Sequence, residues 1–224
     1  MQISIDYRPA QAMATVALAP GESIVAESGA MVGMSTNVDM STQSGGMMSG
    51  LKRMLGGETF FRNTFTARGA PGEVLLAHSL CGDMIALDLV PEGYLVQSSS
   101  FIACTPNVNI ETKVGGFRTF FAGEGMFVLR ASAPDPGQLL LGAFGGIQQL
   151  DCDGSLVIDT GHLVAWDAAL SFTVGKSARG LIASFLSGEG LVCHFTGQGR
   201  IWIQTRHPSE YGRTLGALLP PRSG

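Results

Sequence analysis

One arrangement of residues recurs three times along the chain, and it restricts the fold more than any other feature. Each copy contains, in order, a turn, a pair of apolar strand-like segments, a Gly-Glu step, a further strand, a second turn and a last strand. The steps lie 66 and 65 residues apart, at Gly57-Glu58, Gly123-Glu124 and Gly188-Glu189. The second turns are Pro71-Gly72, Pro136-Gly137 and Gln198-Gly199. Self-similarity at a near-constant period predicts a fold assembled from three copies of one unit.

Short apolar or alternating segments bounded by Gly, Pro, Asp or Ser fill most of the chain, among them "EVLLAHS", "MIALDLV" and "SLVIDTGHLVAW". Such segments are typical of β-strands. We therefore predict one all-β domain over residues 1–224, with the internal repeats forming a β-helix-like or barrel-like array. The pseudo-repeats cover about residues 20–80, 91–145 and 153–206, and residues 207–224 form a C-terminal tail.

The stretch "GGMMSGLKRMLGG" differs from these strands. Its apolar residues have helical spacing and are Met47, Met48, Leu51, Met54 and Leu55. Lys52 and Arg53 lie off that face, and two glycines form a typical C-terminal stop. A phosphate loop is excluded because Leu51 stands where that motif needs Lys. We predict a short helix near 47–55 inserted in the first repeat. It covers one end of the β core, or it contacts a partner protein or a membrane surface.

The glutamates of the Gly-Glu steps, Glu58, Glu124 and Glu189, have two interpretations. In the first, each glycine supplies a positive φ and each carboxylate accepts backbone N–H groups in a turn. In the second, three like charges converge on a pseudo-threefold axis and bind a cation. An apolar strand follows each Glu and no His adjoins any of them, which favours the turn role.

Composition predicts self-association. Apolar residues make up 45% of the 224 residues and charged residues only 14%, against about 25% charged in typical domains. So few charges leave apolar surface and strand edges to be covered by other chains. We predict a homo-oligomer, with a trimer favoured. The net charge of −4 disfavours nucleic acid as a partner.

The four cysteines are widely spaced and form no C-x-x-C pair, so neither a zinc site nor a redox motif is predicted. Buried, reduced thiols indicate a cytoplasmic protein. Cys81, Cys104 and Cys193 lie in apolar runs and are expected to be buried, whereas Cys152, between two aspartates, is expected to be more accessible. The N-terminus does not resemble a signal peptide, and no apolar run reaches the roughly 18 residues of a membrane helix.

The sequence indicates no catalytic residues, cofactor or metal. The histidines at 78, 162, 194 and 207 are scattered, and the adjacent Cys193 and His194 must point to opposite faces of a strand. Neither a G-x-S-x-G elbow nor an H-E-x-x-H helix occurs. These observations do not decide whether the protein is an enzyme, and they favour a non-enzymatic role. Trp166 and Trp202 are expected in the core or an interface.

The motif "GLKRMLGGETFFRNTFTA…GEVLLA", with "GEGMFVLRA" and "SGEGLVCHF", resembles the altered-inheritance-of-mitochondria protein family, which includes bacterial proteins of unknown function. The resemblance runs from about Glu22 to Thr205. It implies a β-rich fold similar to that of the trp RNA-binding attenuation protein (TRAP-like), with repeated units and oligomers. It implies no catalytic activity, and RNA binding does not carry over because no matching basic motif is found on the strands.

The leading functional hypothesis is a non-enzymatic oligomeric scaffold or interaction protein that contacts a membrane or partner through residues 47–55. The alternative is a module that binds a small molecule or cation at the repeat junctions. A hydrolytic or isomerase activity ranks third, because no site for it is visible in the sequence.

Overall fold

The computed structural model describes residues 1–43, 62–112, 127–176 and 191–220. Within these ranges the chain forms seventeen β-strands and one α-helix. The strands are β1 (Gln2–Asp6), β2 (Met13–Leu18), β3 (Ser23–Glu27), β4 (Met31–Met34), β5 (Val38–Gln43), β6 (Arg62–Ala67), β7 (Gly72–Ala77), β8 (Met84–Asp88), β9 (Tyr94–Gln97), β10 (Phe101–Cys104), β11 (Asn109–Thr112), β12 (Val128–Ser132), β13 (Gln138–Gly142), β14 (Ile147–Asp159), β15 (Leu163–Asp167), β16 (Ser171–Lys176) and β17 (Leu191–Gln204). The helix is α1 (Pro208–Gly216).

The strands form three sheets. The first has the order β1-β2-β7-β4, and the second has the order β5-β6-β3-β10-β13-β8. The third runs β11-β12-β9-β15-β17-β14, with β16 also paired to β17. The all-β class is therefore confirmed. Every pair of these strands is antiparallel, unlike the parallel stack of a β-helix, so the expected β-helix is not what forms.

Three apolar clusters make up the core, and they follow from the alternation within the strands. In β2 every second side chain is buried, which places Ala14, Val16 and Leu18 in the first cluster with Phe65 of β6. Burial of a side chain such as Phe or Leu contributes about 1.5 to 3 kcal/mol. The second cluster centres on β9, β10 and β13, and the third on β15 and β17. Trp166 and Trp202 are both buried, as the sequence predicted.

The same hydrogen bond closes three turns, those that follow β4, β10 and β15. In each turn a side-chain oxygen accepts a backbone N–H from a later strand. The pairs are Ser35 with Glu73 (2.9 Å), Thr105 with Gln138 (3.1 Å) and Asp167 with Arg200 (2.7 Å). A glycine precedes each donor, and a Cβ there would lie 2.6 to 2.9 Å from an apolar side chain. These glycine contacts are Gly72 with Val38, Gly137 with Val108 and Gly199 with Leu170. The glycines therefore let the turns pack closely.

The strands before these turns also share an irregularity. In β4, β10 and β15 the pairing register shifts between the first and third residues, which marks a β-bulge in each. The shifts fall at Met31/Gly33, Phe101/Ala103 and Leu163/Ala165. Each of the three bulges is thus followed by one of the three turns closed by a side-chain oxygen.

Residues 207–224 were expected to form a C-terminal tail, and the structure shows that this segment contains the short helix α1. α1 begins at His207, whose Nδ1 accepts the N–H of Glu210 (3.4 Å), and Pro208 occupies the first turn. All of its side chains are at least partly exposed. Two glycines and a histidine cap, in place of the usual Ser, Thr, Asp or Asn, hid the helix from pattern analysis.

Asp167 should contribute more to stability than an exposed aspartate. Its carboxylate accepts the backbone N–H of Arg200 (2.7 Å) and two guanidinium N–H groups (3.1 and 3.2 Å), and its side chain is 14% exposed. We expect Asp167→Ala to lower the free energy of unfolding by about 2 to 3 kcal/mol, because the donors of Arg200 lose their acceptor. Urea denaturation measures the change.

The matched control is Asp39→Ala. The Asp39 carboxylate bonds Arg68 at 2.8 Å, but its side chain is 63% exposed, so its loss should cost less than about 1 kcal/mol. Equal losses in the two variants would contradict the role given to the Asp167 turn.

Candidate functional site

The surface predicted from the sequence lies outside the described residues. It comprises Met47, Met48, Leu51, Lys52, Arg53, Met54 and Leu55. The turn carboxylates, a separate candidate, also lie outside them: Glu58, Glu124 and Glu189. Contact of residues 47–55 with a partner or membrane, and convergence of the three carboxylates, therefore stay predictions. The described residues contain three other features with functional potential: two open strand edges and a cleft.

The first open edge is β4. It pairs with β7 on one side, and among the described residues no strand pairs with its other side. Its apolar side chains are exposed: Met31 by 37%, Val32 by 58% and Met34 by 40%. The strands with the same bulge and turn, β10 and β15, are each paired on both sides, and their apolar residues are all buried.

The second open edge is the last part of β14, residues 155–159. This segment pairs with β17 on one side, and its other side has no partner strand in the described part of the chain. Val157 is 56% exposed. β3 and β9, which likewise lead into a bulged strand, are each hydrogen-bonded to strands on both sides. β3 pairs with β10, and β9 pairs with β15.

The chemistry of these edges suits strand addition. An unpaired edge presents a row of N–H and C=O groups that another strand can complete. Proteins usually guard such edges with Lys, Pro or inward charges. The segment Met31–Met34 has none of these, and residues 155–159 carry one charge, at Asp159. Oxygen Oδ1 of Asp159 accepts the N–H of Gly161 at 2.8 Å within its own turn.

A cleft of about 600 Å³ lies beside α1. Its lining includes Cys81, Phe144, His162, Arg206, His207 and Tyr211. The volume falls within the roughly 300 to 1,000 Å³ of small-molecule sites. The rings of Phe144 and Tyr211 are 4.9 Å apart, and those of His162 and His207 are 5.5 Å apart. The cleft therefore offers apolar ring surface next to a guanidinium, two imidazoles and the Glu210 carboxylate.

Hydrogen bonds assign the tautomers of these histidines. Nδ1 of His162 donates to the Gln204 carbonyl (2.7 Å). His207 accepts the N–H of Glu210 at Nδ1, and its Nε2 lies 3.4 Å from Oδ1 of Asp159. The described residues contain no group of three His, Cys, Asp or Glu side chains suited to a metal. The cleft can thus act through hydrogen bonding and charge.

Two cysteines differ from expectation. Cys81, expected in an apolar run, is exposed because "HSLCG" forms a bend between β7 and β8. Cys152, expected to be accessible, is 3% exposed, because alternation in β14 turns it away from its aspartate neighbours and into the third core cluster. Burial raises the pKa of the Cys104 and Cys193 thiols to about 12. Cys81 is thus the thiol most open to reagents.

A perturbed carboxyl that sequence analysis missed is Glu27, the last residue of β3. Burial raises the pKa of Glu27 to about 7. Nothing in the segment "SIVAES" signals this, because the alternation of β3 predicts neither how deep its end lies nor what covers it. It is the same strand end that Gln97 occupies in β9 and Asp159 in β14.

The likeness to known proteins covers this whole architecture. The family model described as mitochondrial biogenesis AIM24 matches residues 3–206. The chain belongs to this family. The resemblance noted in the sequence is therefore confirmed, and the matched range includes both open edges.

Relatives of this family member have similar lengths. An uncharacterized protein of Streptococcus pyogenes serotype M6 is 29% identical over 234 residues, covering 100% of this chain and 93% of the relative. The crystal structure of protein SPYM3_0169 from Streptococcus pyogenes has a TM-score of 0.82 at 27% identity, covering 97% of this chain and 99% of that one. In the described ranges, no helix has the length and apolar character needed to cross a bilayer.

Proposed function

We propose that the chain consists of three copies of one antiparallel unit arranged in a barrel-like, TRAP-like manner. Each unit contributes a bulged strand (β4, β10 or β15), the entry strand that precedes it (β3, β9 or residues 155–159 of β14) and a turn closed by a side-chain oxygen. The units join where the entry strand of one pairs with the bulged strand of the next, as β3 does with β10 and β9 with β15.

On this basis the protein acts as a non-enzymatic, self-associating scaffold whose copies join through their open edges. The observation that carries this proposal is the difference between β4 and its counterparts. Val32 is 58% exposed, whereas the residues at the same place in the bulge, Ile102 and Val164, are 1% and 0% exposed. This apolar strand is buried in the second and third units and exposed in the first. Such a difference indicates a surface that a partner covers.

Light scattering tests the proposal. At micromolar concentrations the mass should be an integer multiple of 23.4 kDa, at least twofold. Replacing Val32 with Lys should shift the mass toward the single chain, because pairing would bury an uncompensated ammonium. The unfolding midpoint of the dissociated variant shows whether its fold is retained.

Met40→Lys is the matched control. Met40 is 47% exposed on β5, which is an edge strand like its counterparts β11 and β16. Its replacement should leave the mass unchanged. A wild-type mass of 23.4 kDa across the micromolar range would contradict the scaffold proposal.

A second candidate function is the binding of a small organic anion in the cleft beside α1. The guanidinium of Arg206 favours an anion, and the paired rings of Phe144 and Tyr211 favour an aromatic one. The cleft lies between the turn after β13 and the helix after β17, so it falls at a junction between the second and third units.

Cys81 provides the readout for the cleft, because it is exposed and lines the cleft wall. We expect Cys81 alone to react quickly with a thiol reagent in the native state, and benzoate to slow this reaction in a saturable manner. Benzyl alcohol, which lacks the charge, and the Arg206→Gln variant with benzoate should show at least a severalfold weaker effect. No protection of Cys81 by benzoate at millimolar concentrations would count against the cleft as an anion site.

A further inference from the structure

The proposed self-association can be taken to the level of individual residue pairs. We propose that residues 155–159 of one copy add to β4 of a second copy as an antiparallel strand, with Ile158 opposite Gly33 and Val157 opposite Met34. This inference rests on the proposed scaffold function and specifies the surface and the partner, which is another copy of this chain.

The two junctions inside the chain provide the template. In the first, Ala26 of β3 lies opposite Ala103 of β10, and Val25 lies opposite Cys104. In the second, Val96 of β9 lies opposite Ala165 of β15, with Leu95 opposite Trp166. Both junctions thus use one register, even though their side chains differ.

The third register follows by counting along the chain. In β10 and β15 the paired residue lies two positions before the residue whose side chain closes the turn. The same count from Ser35 in β4 makes Gly33 the equivalent of Ala103 and Ala165. In the entry strand the paired residue lies seven positions before its own bulged-strand counterpart. Ala26 lies seven positions before Gly33, and Val96 lies seven positions before Ala103. The residue seven positions before Ala165 is Ile158. The missing junction therefore pairs Ile158 with Gly33.

The side chains at this register are complementary. A small residue occupies the third position in all three bulged strands: Gly33, Ala103 and Ala165. At the next position each internal junction sets two apolar side chains opposite each other, Val25 with Cys104 and Leu95 with Trp166. The new junction would set Val157 against Met34, which are now 56% and 40% exposed. Directly opposite residues have Cβ atoms about 4.5 to 5.5 Å apart, so each would cover the other.

The contact joins two different surfaces, because β4 and residues 155–159 are distinct edges. Such a heterologous contact repeats from copy to copy and ends only when a ring closes. Pairing of β4 with β4 would instead stop at two copies. The two arrangements are distinguishable by which residues cross-link.

The experiment mixes two variants of the full chain, each with one added cysteine, in which the buried Cys104, Cys152 and Cys193 are retained. Both carry Cys81→Ser to remove the exposed native thiol. One also carries Met34→Cys and the other Val157→Cys, both at exposed positions. After mixing under denaturing conditions, refolding and oxidation with diamide, non-reducing electrophoresis should show a disulfide-linked pair of chains. Each variant alone should give at least fivefold less of this product.

Ser155→Cys replaces Val157→Cys in the matched control. Ser155 is exposed and lies on the same face of the strand, but it is two residues out of register with Met34. The diagonal Cβ separation of about 7 to 8 Å exceeds the roughly 3.5 to 4.5 Å of a disulfide. The control mixture should therefore give severalfold less cross-linked product.

The outcomes separate this inference from the scaffold proposal. An oligomeric mass without the mixed disulfide, or efficient linking of Met34→Cys chains to one another, overturns the register and leaves self-association intact. A disulfide within a single chain of a Met34→Cys, Val157→Cys double variant also overturns it, because the edges would then meet inside one copy. A monomeric mass without any cross-link removes both proposals.

Discussion

Backbone hydrogen bonding between strands that are distant in sequence holds this structure together. The pairing of β3 with β10, and of β9 with β15, joins segments about 70 residues apart into continuous sheets. Each junction satisfies buried N–H and C=O groups that would otherwise cost about 1 to 3 kcal/mol apiece. It also brings the three apolar clusters under common sheets, so that loss of one junction would expose core on both sides. The edges of β4 and of residues 155–159 are open because, in the described part of the chain, no strand forms the equivalent junction with them.

The turns show how one design tolerates different chemistry. Ser35 and Thr105 use a hydroxyl and Asp167 a carboxylate, but each presents an oxygen at the same place to the same kind of N–H donor. Asp167 adds a charge and pairs with Arg200, whose guanidinium also donates to the Tyr94 hydroxyl at 3.1 Å. Geometry is thus kept where the backbone needs it, while the sequence diverges around it.

Sequence patterns predicted what depends on local spacing. The strand content, the second turns at Gly72, Gly137 and Gly199, and the burial of both tryptophans all follow from alternation and turn chemistry. Strand partners could not be predicted, because pairing between units depends on contacts across the whole chain. For the same reason the open edge of β4 was not predicted: "MVGM" is as apolar as the buried "FIAC" of β10, and exposure is decided by whether a partner strand is present. Cys81 and Cys152 were misassigned because neighbouring residues alone do not determine which way a side chain points.

In the proposed assembly, β4 and residues 155–159 are the two halves of one junction between copies. Amide hydrogen exchange in wild-type protein and in a Val157→Lys variant tests it most directly. The account predicts that amides of residues 31–34 are protected in the wild type and exchange at least tenfold faster in the variant, although the substitution lies on the other edge. The β10 amides should be equally protected in both proteins. Unchanged exchange of residues 31–34 in the variant would contradict the claim.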